Sequence, residues 1–369
     1  MRKEDKAHKS EIGRFGGGVF FAGANSGRGF LSFYDAILGD GRIEKVYILK
    51  GGPGTGKSSF MRRAADCASR LKMAVERYSC SSDPESLDGV VIDGRYAIID
   101  GTPPHSVDAA LPGVRDEIIN LGAFWDDEAL KKRSCEIEEL IAKKSESYKR
   151  AYRYLSAYEH VCTLNSALSA QCFLAEKARR SIDRLFAKLS LGGGYRADVG
   201  EVSSVGMKGR VRYDTYERFA DKIYLVDDFL DGGRRYLRYI LDKARQTDTP
   251  VRVSYDPVRC DEPDAVYLYG GRVLFVLSDG REGSLRAETV RINMKRFFDA
   301  EAVRGVRGEF RLNLRLAEGL MDSALDALRC AGRYHFALEE IYASCMDFEA
   351  ENVFCKNFLE NLFADRRKI

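Results

Sequence analysis

The feature that most constrains this chain is the octapeptide Gly51-Gly52-Pro53-Gly54-Thr55-Gly56-Lys57-Ser58, a full match to G-x-x-x-x-G-K-[ST]. Before it stands Val46-Tyr47-Ile48-Leu49, an apolar run of strand formers flanked by charges. After it, Phe60, Ala64, Cys67 and Leu71 recur at helical spacing. Strand, glycine loop and helix in that order is the setting a phosphate-binding loop requires. Glycines let successive N–H groups turn inward around phosphate oxygens, and the helix N-terminus adds its dipole. The pattern therefore assigns Gly51, Gly52, Pro53, Gly54, Thr55, Gly56, Lys57, Ser58 and Ser59 to a nucleoside triphosphate. Lys57 reaches the β- and γ-phosphates, and the Ser58 hydroxyl coordinates Mg²⁺.

Such a loop needs a second acidic residue at the end of a neighbouring strand to hold the magnesium. Tyr96-Ala97-Ile98-Ile99-Asp100 supplies it, so Asp100 joins Ser58 as the expected metal pair and Lys57 as a catalytic candidate. The next residue is Gly101 and not the Glu that activates water in many motor-type ATPases. Asp83 or Glu85, in the polar loop Cys80 to Gly89, is a candidate to orient a water or accept a substrate hydroxyl proton, and His105, which follows Asp100 in Thr102-Pro103-Pro104-His105, is a candidate to sense the γ-phosphate. A turn Asp and a surface-loop His are the competing readings. No Asn-Lys-x-Asp guanine motif occurs, which favours ATP over GTP.

Several phrases coincide with these: Phe21-Ala22-Gly23-Ala24-Asn25, Gly29 to Asp35, Ser81 to Gly89, Asp100 to His105 and Asp116 to Gly122. Together they resemble a family of bacterial tandem P-loop proteins of about this length, whose members are labelled as ATPases or ATP-binding proteins. The resemblance is strong over residues 19–160 and weaker beyond. It implies ATP binding at residues 51–59.

The plan recurs downstream. Lys222 to Val226 matches Lys45 to Leu49 at an offset of 177, which sets Gly233-Arg234-Arg235 against Gly56-Lys57-Ser58. Val251 to Tyr255, Pro263 to Leu268 and Gly271 to Leu277 echo the following strands. This copy has lost the chemistry. Asp227, Asp228 and Asp231 stand where phosphates would sit, no hydroxyl replaces Ser58, and Leu277 falls at the place of Asp100, with Asp279 two residues on. The resembled family often keeps a recognisable second P-loop, so the chain departs from it here. One nucleotide per chain is expected.

The sequence thus predicts an α/β protein of two tandem P-loop NTPase-type three-layer units with parallel sheets, the second degenerate, plus helical hairpin insertions. The expected divisions are a P-loop core over 1–125, a helical arm over 126–190, a degenerate core over 195–310 and a C-terminal helical segment over 311–369. The arm is read as two helices, 126–158 and 166–189, closed by Ser190 to Gly194. Its basic clusters, among them Lys131 to Arg133 and Lys143-Lys144, interleave with acids, which favours a solvated face over a nucleic-acid surface.

Nine cysteines occur, with no Cys-x-x-Cys pair, and no run approaches a membrane span. A charged N-terminus without a signal core completes the expectation of a cytoplasmic protein. The 59 basic and 56 acidic residues nearly balance, which argues against a chain that coats nucleic acid. The functional expectation is slow Mg²⁺-dependent ATP hydrolysis coupled to an unknown protein or small-molecule partner. The alternatives are a small-molecule kinase and a nucleotide-gated binding module.

Overall fold

The computed structural model describes residues 17–39, 41–189, 191–278 and 287–364. Ser190 and Asp279 lie outside the described residues. The first unit runs β1 (Gly17–Phe21), a hairpin of β2 (Gly23–Ser26) and β3 (Gly29–Ser32), β4 (Lys45–Lys50), β5 (Val75–Ser79), β6 (Leu87–Ile92), β7 (Tyr96–Asp100) and β8 (Asp116–Asn120). The second repeats it as β9 (Ala197–Val199), a hairpin of β10 (Ser203–Gly206) and β11 (Gly209–Arg212), β12 (Lys222–Val226), β13 (Val251–Tyr255), β14 (Pro263–Leu268), β15 (Val273–Leu277) and β16 (Glu288–Ile292). The six-stranded sheets read β8-β4-β7-β6-β5-β1 and β16-β12-β15-β14-β13-β9, the same order strand for strand.

Neither sheet is wholly parallel, which corrects the sequence expectation. β6 is antiparallel to both β5 and β7, and β14 to both β13 and β15, while the other pairings are parallel. The reason is connection length. Parallel neighbours need a crossover of a dozen or more residues. Only Asp93, Gly94 and Arg95 join β6 to β7. Asp93 (φ 51°) and Gly94 (φ 67°) adopt the left-handed conformations of a tight hairpin turn, closed by Arg95 N–H donating to Ile92 O at 2.9 Å.

The layering differs too. The helix Lys57–Arg70 covers one face of the first sheet and the helix Gly232–Gln246 one face of the second, while the opposite faces share one apolar cluster. Val46, Ile48, Ala97 and Ile99 come from the first sheet, Ile223, Leu225, Leu274 and Val276 from the second.

The expected helical hairpin does not form. Ser134–Cys172 is one helix of 39 residues, here the first strut, and Ala300–Ser344 is one of 45, the second strut. The first has no Pro or Gly to interrupt it and spans about 58 Å at 1.5 Å per residue. The struts run antiparallel. Trp125, before the first, bridges Met346, after the second, and Phe173 at the far end bridges Phe298. Ala151 and Leu155 pack against Met321, Ala324 and Leu328, and Ile137 against Leu338 and Ile341.

The struts therefore carry the chain across the molecule twice. The helix Ala175–Phe186, which follows the first, packs on the second unit beside the helix Gly232–Gln246. The helix Phe348–Leu362, which follows the second, returns to cover the helix Lys57–Arg70 of the first unit. Each unit's outer layer is completed by chain that has already visited the other.

On and just before the first strut Lys131 pairs with Glu128, Arg133 with Glu136 and Lys143 with Glu139. All nine cysteines are unbridged. Among the described residues, no helix is long and apolar enough to cross a membrane.

Candidate functional site

β4 ends at Lys50, the glycine loop follows, and the next helix begins at Lys57. Gly54 (φ +73°) and Gly56 (φ +83°) take left-handed conformations that turn the loop back over the helix N-terminus. Thr55 Oγ1 donates to Gly52 O at 2.9 Å and braces the loop from within. The Lys57 ammonium folds back over it, donating to Gly51 O at 2.9 Å and Gly52 O at 2.7 Å.

Asp100 Oδ2 lies 3.7 Å from Lys57 Nζ, because β7 pairs in parallel beside β4 and sets Asp100 opposite Leu49. Asp100 Oδ1 accepts from Thr102 N–H at 2.8 Å and Thr102 Oγ1 at 2.6 Å, which fixes the rotamer. Burial raises the Asp100 carboxyl above the ordinary aspartate range against the attraction of Lys57, and Asp88 adds to the rise. Ser58 Oγ accepts from Leu87 N–H at 2.9 Å on the same cavity wall. A hydroxyl and a carboxylate facing one space are hard oxygen donors of the kind magnesium takes beside phosphate oxygens and water. Ser58 and Asp100 fit that ion.

These groups open into a cavity of about 1200 Å³. Gly51 through Ser59 line it together with Asp83, Asp88, Asp100 and His105, so the structure brings every sequence-derived candidate except Glu85 to one space. They are not equally free to act. Asp83 holds its own turn, with Oδ1 accepting from Glu85 N–H at 3.3 Å and Oδ2 from Ser86 Oγ at 3.1 Å. His105 is 4% exposed, not on a surface loop, and its Nε2 is 3.1 Å from Asp88 Oδ2.

Three lining groups escaped the sequence reading. Asp88 was visible only as a member of the polar loop, yet it is the second residue of β6 and lines the cavity. The hairpin signal Asp93-Gly94 would have placed it there. Lys144 reaches the cavity from the first strut. Burial lowers its pKa against the pull of Glu339, and Lys57 lowers it further. Asn25, from the first hairpin, donates to Val205 O of the second unit at 2.9 Å. Only tertiary structure brings these last two to the site.

The counterpart in the second unit is closed by its own charges. Arg234, at the place of Lys57, donates to Asp228 at 2.8 Å and to Asp256 at 2.6 Å, while Arg259 donates to Asp231 at 2.7 Å. The cavity there is about 300 Å³. Burial alone would raise the Asp256 carboxyl, but Arg234 and Arg259 hold it well below the ordinary range. The guanidiniums that a triphosphate would need are engaged by carboxylates of the same chain.

No family model, no curated protein and no solved structure gives a significant match to this chain.

Proposed function

We propose that the chain binds one Mg·ATP, in the first unit, and hydrolyses it as a P-loop phosphohydrolase. The observation that carries this reading is the placement of Lys57 at a helix N-terminus, inside a loop turned by left-handed glycines, 3.7 Å from Asp100. Backbone N–H groups and the helix dipole would receive the phosphates, Lys57 would offset charge on the β- and γ-phosphates, and magnesium would sit between Ser58, Asp100 and the phosphate oxygens. The ion-paired counterpart in the second unit supports a single nucleotide per chain.

Calorimetric titration with Mg·ATP, paired with phosphate release, tests the reading. Wild type should saturate at one equivalent, and folded Lys57→Ala should lose binding and turnover. Unchanged binding in folded Lys57→Ala overturns the assignment.

One contact favours a second reading, nucleotide gating. A Cβ built on Gly54 would lie 2.3 Å from Glu339 O, so the second strut rests directly on the phosphate loop. A loop that moves on binding ATP would push a helix that begins at the other unit. Hydrogen exchange along residues 300–344 with and without Mg·ATP tests this, and identical protection in both states excludes it.

A further inference from the structure

The loop reading supplies no group to activate the attacking nucleophile, since the residue after Asp100 is Gly101. The hairpin of β6 and β7 supplies one. Gly89 pairs antiparallel with Ile99, and Asp88 precedes it on β6 at a bulge against β5, where Tyr78 pairs with Gly89 and Ser79 with Leu87. The Tyr34 hydroxyl ties the two strands at this point, with its O–H shared between Asp88 O at 2.6 Å and Asp100 O at 3.0 Å. Both carboxylates line the cavity, close enough for Asp88 to raise the Asp100 carboxyl. Asp100 is engaged by Lys57 and Thr102.

Asp88 is engaged by a histidine. His105 Nε2 is 3.1 Å from Asp88 Oδ2, and His105 Nδ1 is 3.0 Å from Ser32 Oγ. The neutral Nε2–H tautomer satisfies both contacts, with His105 donating to Asp88 and accepting from Ser32. The ring is clamped, stacked on Tyr34 at 4.5 Å between centroids and edge-on to Phe30 at 4.6 Å. Asp88 and His105 are 7% and 4% exposed, and both line the cavity that holds Lys57 and Ser58. The second unit keeps an acid at this place, Asp264, at the corresponding bulge, but it accepts from Ser203 Oγ at 2.6 Å. The histidine contact belongs to the unit with the intact loop.

We infer that Asp88 is the general base of the ATP reaction and that His105 is its positioning residue, an assignment that rests on the ATP reading above. In the step, a water oxygen forms a bond to the γ-phosphorus. The bond from that phosphorus to the β,γ-bridging oxygen breaks, and its electron pair leaves with ADP. The proton of the attacking water passes to the Asp88 carboxylate and then to solvent. His105 holds one carboxylate oxygen by its N–H and the Cys80 thiol also bonds the carboxyl, which fixes Asp88 at the cavity wall.

The test pairs calorimetric Mg·ATP affinity with the kcat and KM of phosphate release in wild type, Asp88→Asn, Asp88→Glu and His105→Asn. Asp88→Asn keeps an acceptor for His105 but removes the base. Its kcat should fall by about a hundredfold or more while affinity for Mg·ATP stays within threefold. Asp88→Glu should recover part of the loss, and His105→Asn should lower kcat without moving affinity. Turnover in Asp88→Asn within threefold of wild type overturns the assignment. So does a parallel loss of affinity and kcat in both Asp88 variants, the mark of a structural carboxylate, or a wild type that binds ATP and releases no phosphate. Absence of ATP binding by wild type would instead overturn the underlying ATP reading, and the two failures are told apart by the calorimetry alone.

Discussion

Glu351 on the last helix lies 2.5 Å from the Arg63 guanidinium on the helix that begins with Lys57, across 288 residues of sequence. The Glu351 side chain is 2% exposed and that of Arg63 33%. The pair closes the outer layer of the first unit, beside Cys355, Leu359 and Phe363 packed on Phe60 and Met61.

The asymmetry of burial predicts an asymmetry of cost. Arg63→Ala strands a buried carboxylate and should destabilise by about 3–5 kcal/mol. Glu351→Ala leaves an arginine that can reach water and should cost about 1–2 kcal/mol. Urea unfolding of both variants checks the order, and a larger loss in Glu351→Ala contradicts it.

Gly54→Ala combines two penalties. Its φ of +73° is left-handed, which costs a side chain about 1–2 kcal/mol, and the new methyl meets the Glu339 carbonyl. Affinity for Mg·ATP should fall by tenfold or more. The control is Gly319→Ala in the second strut, where nothing lies within 4 Å and the same substitution should stabilise by about 0.5–1 kcal/mol. Calorimetry for the first and thermal melting for both decide the matter.

Arg234→Ala should unfold the second unit's ion network. It leaves Asp228 and the buried Asp256 without their shared cation, at a cost of about 3–5 kcal/mol. Asp256 is held below its ordinary pKa, so its contribution is present above the ordinary aspartate range and is lost as the pH falls through the folded value. The variant's acid unfolding limb should be shallower than that of wild type. Its nucleotide stoichiometry should remain one wherever it stays folded.

Glu201 behaves in the opposite sense. Burial pushes its carboxyl well above the ordinary glutamate range, Asp264 adds to the rise, and its Oε1 has no partner. A raised folded pKa gives stability that is full below the ordinary glutamate range and lost as the pH rises through the folded value. Glu201→Gln should therefore gain melting temperature over wild type above neutral pH and lose that advantage near pH 4. A constant difference across that range refutes it.

Much of the first unit was legible in the sequence, because its signals are local. The run Val46 to Leu49, the glycine loop and the spacing of Phe60, Ala64 and Cys67 each report on neighbours within a few residues. The repeat was legible for the same reason, since Lys222 to Val226 copies Lys45 to Leu49. The strand direction of β6 was written in Asp93-Gly94 and passed over. The struts were not legible. The apolar stripe through Ile137, Ala151 and Leu155 fits any partner helix, and its partners, Leu338 and Met321 among them, lie more than 150 residues away. The pairing of Asp88 with His105 was hidden likewise, because the two are 17 residues apart and meet only when the loop after β7 folds over the start of β6.

The crossing of the struts sets an order of completion during synthesis. A chain made from its N-terminus has its glycine loop early, but the apolar face of Phe60 and Met61 waits for Cys355, Leu359 and Phe363. Until those residues leave the ribosome, the half that carries the glycine loop is an open sheet with a bare helix, the kind of surface that chaperones hold. Neither half can therefore be freed as an independent domain by cutting the chain between them, and a ribosome stalled before residue 348 would display a loop with no finished molecule behind it.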